Sequence, residues 1–371
     1  MENNINILPP IAMLAELTHR CPLACPYCSN PMELIQKNRE LNTSTWLDVF
    51  RQAAAMGVLQ VHLSGGEPAS RQDLAELVAG ARQAGLYVNL ITSGIGLNRE
   101  RLIALDVAGV DHIQLSLQGV NSQVSDWVSG YQGSFQHKLS IAGDIREIGI
   151  PLTVNAVMHR HNLDDLEETL QMAYRLGARR VEVACVQFQG WALRNRAILQ
   201  PTRDQVDRAK RILAGAIERF RGEMVIDFVP PDYYADFPKA CMGGWGSTGL
   251  NVTPDGTLLP CHGANIIPGM EFDNVRQTRL ADSWYRGLAF NAFRGGDWLP
   301  ELCKNCDRKN IDFGGCRCQA MAIAGDASAA DPVCKKSPHR KKVDLLLEAE
   351  AKCEPAQTFR YRRIRTKNLC D

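Results

Sequence analysis

Three cysteines stand within the eight residues Cys21-Pro-Leu-Ala-Cys25-Pro-Tyr-Cys28. Thiolates this close together can hold three irons of a [4Fe–4S] cube and leave the fourth iron without a protein ligand. An iron with an open position is reactive, just as a catalytic zinc keeps an open position that a structural zinc lacks. Zinc is the alternative use of the same thiols. Closed zinc sites want four protein ligands, and only His19 stands nearby to complete the set.

Seven more cysteines fall between 241 and 334, and the long middle of the chain holds only Cys185. The total is 13. An odd number in two dense groups argues against a disulfide framework, and in a reducing cytosol short spacings favour metal ligation. Zinc ribbons are the competing use of the second group. Cys185 reads as a small buried strand residue, and Cys353 and Cys370 as thiols of the tail.

The elements that must carry these residues alternate. Apolar β-like runs at Ile11–Leu17, Leu59–Ser64, Tyr87–Thr92, Asp111–Gln118, Leu152–Met158 and Arg180–Phe188 predict six strands. Helical patterns fall between them at Thr43–Met56 and near 71–84, 99–107, 134–148 and 162–176, and another follows at 202–220. Asn42 or Thr43 caps the first helix, and Gly85, Gly109, Gly149 and Gly177 stand where helix ends want a left-handed residue. Strand–helix units in succession imply a parallel sheet with right-handed crossovers. Periodicity leaves open whether the sheet is doubly wound or an incomplete (β/α) barrel. Both place chemistry at the carboxyl ends of the strands.

After about residue 221 short strands, glycine and proline turns and cysteines take over, with a hairpin turn expected at Asp255-Gly256. We therefore expect a core over 1–220, a metal-stabilised domain over 221–336, and a final helix and basic tail over 337–371. The tail carries Arg360, Arg362, Arg363, Arg365 and Lys367, which read as a solvated segment or a basic docking patch.

Composition narrows the partners. The chain has 371 residues, 45% of them hydrophobic, enough for two domains with a substantial core. Lys and Arg number 42 against 41 acidic residues, so no whole-protein field attracts nucleic acid or an anionic membrane. Residues 1–20 lack a signal-peptide pattern and no stretch reaches the roughly 18 apolar residues of a membrane span. A soluble, cytoplasmic protein is the expectation.

With Tyr27 before its last cysteine, the C-x3-C-x2-C run resembles the signature of the radical S-adenosylmethionine (SAM) superfamily. The resemblance implies an α/β fold, a partial (β/α)6 radical SAM barrel. It also implies that Cys21, Cys25 and Cys28 ligate a catalytic [4Fe–4S] cluster whose open iron chelates the amino and carboxylate groups of SAM. One electron cleaves SAM to methionine and a 5′-deoxyadenosyl radical, which abstracts a substrate hydrogen atom. The cofactor supplies the chemistry and the protein positions it.

Downstream, Ser64-Gly65-Gly66-Glu67-Pro68 resembles the family's GGEP motif, which meets the SAM amino group. Gly65 and Gly66 would permit close backbone approach, and Glu67 would accept from the ammonium. Taken alone, the two glycines are only a strand-to-helix turn. Tyr27, Ser93, Ser116, Gln118 and Asn155 stand where the family contacts SAM, though each strand-end polar residue could equally be a satisfied hydrogen bond.

The second cysteine group resembles the SPASM extension of radical SAM enzymes, written C-x9–15-G-x4-C, C-x2-C-x5-C-x3-C and a last C. Cys241-x14-Gly256-x4-Cys261 fits the first element. Cys303-x2-Cys306-x5-Asp312-x3-Cys316 fits the second, with aspartate at the third cysteine position, and Cys318 is extra. Two protein-ligated clusters need eight ligands against seven cysteines, so Asp312 would supply the eighth, with His262 a competing donor. The pattern gives Cys241, Cys261, Cys316 and Cys318 to a first auxiliary iron–sulfur cluster, and Cys303, Cys306, Asp312 and Cys334 to a second. Either cluster is [4Fe–4S] or [2Fe–2S]. A carboxylate is a harder donor than a thiolate and should alter the potential.

Among SPASM enzymes, Cys21 to Pro31, Gln189-Gly-Trp191-Ala-Leu-Arg-Asn195-Arg196 and Asp312 resemble the pyrroloquinoline quinone (PQQ) biosynthesis branch, over essentially the whole chain. That branch joins a glutamate γ-carbon to a tyrosine ring carbon in a ribosomal precursor peptide. The route implied is hydrogen abstraction, addition to the ring, then loss of an electron and a proton, with the auxiliary clusters as electron acceptor. A small peptide-chaperone protein as partner and an electron donor such as a flavodoxin are implied as well. Gln189–Arg196 would line the substrate end of the barrel, although Trp191 and Arg194 could equally be interdomain packing. The alternative enzyme is a sulfatase-maturing or thioether-forming SPASM member. The alternative class is a non-catalytic iron–sulfur carrier or zinc adaptor.

Overall fold

The computed structural model describes residues 7–352 and 358–362. Within them, β1 (Ala12–Thr18), β2 (Gln60–Gly65), β3 (Tyr87–Thr92), β4 (His112–Leu117), β5 (Leu152–Met158) and β6 (Arg180–Cys185) pair in sequence order, all parallel. Crossover helices α1 (Thr43–Ala55), α2 (Leu74–Gln83), α3 (Arg99–Ala108), α4 (Ser122–Ser129), α5 (Ser134–Ile148) and α6 (Leu166–Arg175) connect them. With β7 (Val225–Val229), β8 (Gly249–Val252) and β9 (Leu258–Leu259) the sheet is one open, linear order, β7-β6-β5-β4-β3-β2-β1-β8-β9, which makes the partial barrel.

Two strands arise past residue 220 and still belong to this sheet. β7 (Val225–Val229) adds parallel to β6, and β8 (Gly249–Val252) adds parallel to β1. β8 then turns into β9 (Leu258–Leu259) by the expected hairpin, where Gly256 adopts φ +91°. A Cβ there would stand 2.7 Å from Val275, which is why the turn tolerates only glycine.

Period-two alternation builds the layers. On β1, Met13, Ala15 and Leu17 are fully buried in the core that also contains Trp46, Val49, Phe50 and Ala53 of α1. Each such large apolar side chain contributes about 1.5–3 kcal/mol on burial. The other faces of β1 and β4 send Leu14, Gln114 and Ser116 into the barrel. The Asn42 side chain caps α1 by accepting from Thr45 N, as expected.

α4 is an element that apolar periodicity does not predict, because its sequence is mostly polar. Asn121 caps it by accepting from Val124 N at 2.9 Å, and Gly130 ends it at φ +65°. Cys185 closes β6 in the core, as expected. Cys353 and Cys370 lie outside the described residues. Among the described residues no helix is long and apolar enough to cross a membrane.

Candidate active site

A cavity of about 370 Å³ opens at the carboxyl ends of the barrel strands. Cys21, Cys25, Tyr27 and Cys28 form one wall; Gly65, Gly66, Ser93, Ser116, Gln118 and Asn155 form the others. The structure therefore brings together every residue expected at SAM except Glu67. Asn30 Nδ2 is buried on this cavity without a hydrogen-bond partner, so the site is built to receive a polar ligand.

Glu67 is fully buried and does not reach the cavity. Its Oε1 accepts from Ala69 N (3.0 Å) and Thr92 Oγ1 (2.6 Å), and its Oε2 accepts from Ser93 N (2.7 Å) and Ser93 Oγ (2.5 Å). With four donors engaged, the carboxylate stitches the end of β2 to the end of β3. The glycines before it have a related task. A Cβ on Gly65 would lie 2.2 Å from Thr18 O, and one on Gly66 2.3 Å from Arg20 O. Their backbone closes on the start of the cysteine loop, with Glu67 N donating to Arg20 O at 2.7 Å. The GGEP segment thus positions the loop as well as walling the cavity.

Burial pushes the Cys21 thiol up to about 12 and Cys25 up to about 11, and raises Cys28. The Arg362 guanidinium opposes the rise at all three. Beneath the cavity Lys138 is fully buried; its Nζ donates to Ser116 O at 2.9 Å and to Gln118 Oε1. Burial lowers Lys138 to about 8, offset in part by Cys25, Glu67 and Cys21.

His19, which a zinc site would need, is committed elsewhere. Its Nδ1 accepts from Ile35 N, and its Nε2 pairs with Glu16 Oε2 at 2.9 Å. Burial pushes the Glu16 carboxyl up, but His262, His19 and Asn251 outweigh it and hold it below the usual range. His262 lines the cavity, its Nε2 3.5 Å from Glu16 Oε1, so it faces the barrel and not the second auxiliary site.

The second cysteine group resolves into two sites. Cys241, Cys261, Cys318 and Cys316 form a closed ring of sulfur contacts, with Cys318 Sγ–H donating to Cys261 Sγ at 3.9 Å. Hydrogen bonding within the ring raises Cys241 and Cys318 and lowers Cys261 and Cys316. Gln189 Nε2 donates to Cys316 Sγ at 3.4 Å, joining the segment after β6 to this ring. Separately, Cys303, Cys306, Asp312 and Cys334 line one small cavity, with Asp312 8% exposed. Asp312 Oδ1 accepts from Gly314 N and Oδ2 from Arg308 Nε at 3.3 Å, which fixes the carboxylate within this turn. Four thiols, and three thiols with a carboxylate, are fitting donor sets for iron–sulfur clusters.

Gln189 is exposed, Arg194 is exposed and Trp191 is buried, and none of the three lines the barrel cavity. Sequence reasoning missed Asn30, Gln114, Lys138 and Arg362. Gln114 lies two residues before Ser116 and was accessible from strand periodicity. Lys138 shares the apolar face of α5 with Ile141, Ala142 and Ile145, an anomaly that marks a buried charge. Nothing local marks Arg362.

Residues 15–173 match the Radical SAM superfamily, and residues 241–307 match the SPASM iron–sulfur cluster-binding domain. The PqqA peptide cyclase of Ruegeria pomeroyi is 63% identical over 358 residues, 96% of this chain and 96% of that protein. The chain belongs to the PqqA peptide cyclase family. Another member, from Rhizobium meliloti, is 59% identical over 342 residues, 92% of this chain and 91% of that one. The fold of the family is shared by Streptococcus suis SuiB bound to S-adenosylmethionine, with TM-score 0.74 at 20% identity over 89% of this chain and 78% of that one. As a radical SAM enzyme with a SPASM domain, the chain uses a [4Fe–4S] cluster, SAM and auxiliary iron–sulfur clusters. The SPASM match ends before Asp312, Cys316, Cys318 and Cys334.

Proposed function

We propose that this enzyme cyclises the PQQ precursor peptide by joining a glutamate γ-carbon to a tyrosine ring carbon. The observation that supports this most is end-to-end identity of 63% to a PqqA peptide cyclase, spanning both cysteine groups. When bound, the cluster and SAM supply a 5′-deoxyadenosyl radical that abstracts the substrate hydrogen. Cys21, Cys25 and Cys28 hold the catalytic cluster. Tyr27, Ser93, Ser116, Gln118 and Asn155 hold SAM, with Lys138 fixing Gln118 and Ser116 from below. Glu67 positions Ser93 at the wall of that site.

Cys241, Cys261, Cys316 and Cys318 hold the first auxiliary cluster, and Cys303, Cys306, Asp312 and Cys334 the second. The core spans 1–220 and the SPASM domain 221–336, with β7 and β8 lent back to the barrel sheet. A small peptide chaperone presents the precursor, a flavodoxin-type protein supplies the electron, and the reaction takes place in the cytoplasm. The test is anaerobic reconstitution with iron and sulfide, followed by reaction of precursor peptide with SAM and reductant. Mass spectrometry should show loss of two hydrogens and a fragmentation gap between the glutamate and the tyrosine. Release of 5′-deoxyadenosine with an unchanged peptide mass would overturn the assignment.

A further inference from the structure

The described part of the tail does not extend into solvent. Phe359 packs on Trp127 of α4, ring centroids 4.2 Å apart, and Tyr361 Oη donates to Trp127 O at 2.7 Å. Asn195 Nδ2 donates to both Arg360 O (3.0 Å) and Pro26 O (2.8 Å), and Arg360 N donates back to Asn195 Oδ1 at 2.7 Å. One asparagine side chain thereby clips the tail to the cysteine loop. Arg362 N donates to Ala24 O, and its guanidinium donates to His19 O (3.2 Å), Cys21 O (3.4 Å) and Leu23 O (3.0 Å).

Arg362 is 5% exposed yet lines the SAM cavity. Among the described residues lining that cavity it is the sole arginine, lysine, aspartate or glutamate. Lys138, the other nearby cation, points its Nζ at Ser116 O and Gln118 and does not line the cavity. SAM is cationic at its ammonium and sulfonium and anionic only at its carboxylate. A guanidinium lining the cavity has that carboxylate as its natural partner, sharing it with the iron expected to chelate it. A guanidinium suits the double task, since its five N–H groups form a rigid planar fork where an ammonium is a point charge.

We propose that Phe359–Arg362 is a built-in wall of the SAM site, in which Arg362 holds the cysteine loop by its carbonyls and binds the carboxylate of SAM.

The proposal rests on SAM as cofactor and not on the peptide, so its test omits peptide and reductant. Equilibrium dialysis of the reconstituted full chain measures dissociation constants for SAM and for decarboxylated SAM, normalised to iron content. Wild-type protein should prefer SAM. Arg362→Gln should shrink that preference on the order of 10- to 100-fold, the effect of losing a charged hydrogen bond. Arg362→Lys should fall between, and it provides the reading if the glutamine variant cannot hold its cluster. A preference unchanged in the variants, or equal weakening of both ligands, would overturn the proposal.

Discussion

In the cysteine loop, three thiols face a cavity of about 370 Å³ whose other walls are strand ends; in the SPASM region, four thiols face each other. The loop's neighbours are organised to keep that space open. Gly65 and Gly66 dock on Thr18 and Arg20, Glu67 ties β2 to β3, and Arg362 gathers three loop carbonyls. The Cys303–Cys334 site is braced from one side, where buried Arg317 gathers the Gly314, Ala327 and Ala329 carbonyls and Asp331 accepts from Cys316 N and Val333 N, while the fourth donor, Asp312, ends a short helix. An open site needs walls that stand without the metal. A closed site needs only its donors held in reach of one another, and the metal completes the rest of its order.

The sharpest way to break this contrast is to remove the open site alone. Cys21, Cys25 and Cys28 changed together to alanine should abolish SAM cleavage, measured as 5′-deoxyadenosine, while auxiliary iron remains by elemental analysis. Loss of all iron from a folded triple variant would mean the regions are not independent. Next in size, Asp312→Ala should impair peptide cross-linking far more than SAM cleavage, by leaving an iron open in what should be a closed site. Asp312→Cys should retain a cluster with a shifted potential. Identical electron paramagnetic resonance spectra and potentials in all three forms would remove Asp312 from the ligand set.

The smallest effect concerns the preformed wall. Each Glu67 carboxylate oxygen accepts one backbone N–H, from Ala69 and from Ser93, so the amide of Glu67→Gln must turn its NH₂ toward one of them. A buried donor left unpaired costs about 1–3 kcal/mol. The apo variant should therefore unfold at lower urea concentration, and an unchanged midpoint would show that the wall does not depend on this carboxylate.

The six central strands could be read from the sequence because their signal is local. Apolar runs set their positions, and glycines such as Gly109 and Gly149 adopt the left-handed conformation expected after α3 and α5. Most of the expected cavity residues were legible for the same reason, since Gly65, Ser116 and Asn155 lie on strands and Ser93 and Gln118 just past them. What escaped was non-local. β8 joins β1 from more than two hundred residues away in the chain, and Arg362 reaches Cys21 across 341 positions. Neither carries a periodicity that points to its destination. Spacing marks Glu67 as important, and the structure adds that it braces β2 against β3, which spacing cannot show.

The pairing of β8 with β1 also couples the two regions thermodynamically. Without β8, β1 would be an exposed edge of the parallel sheet, and β1 leads directly into the cysteine loop. β8 in turn runs through its hairpin to Cys261, a ring thiol. Free energy released when iron fills the ring therefore reinforces the ladder Ala12↔Gly249 to Ala15↔Val252, in the way any ligand selective for the folded state stabilises it. Amide hydrogens of β1 should exchange more slowly once the distant auxiliary sites are filled, so that the maturation of one metal centre is recorded in the rigidity of the platform that holds the other.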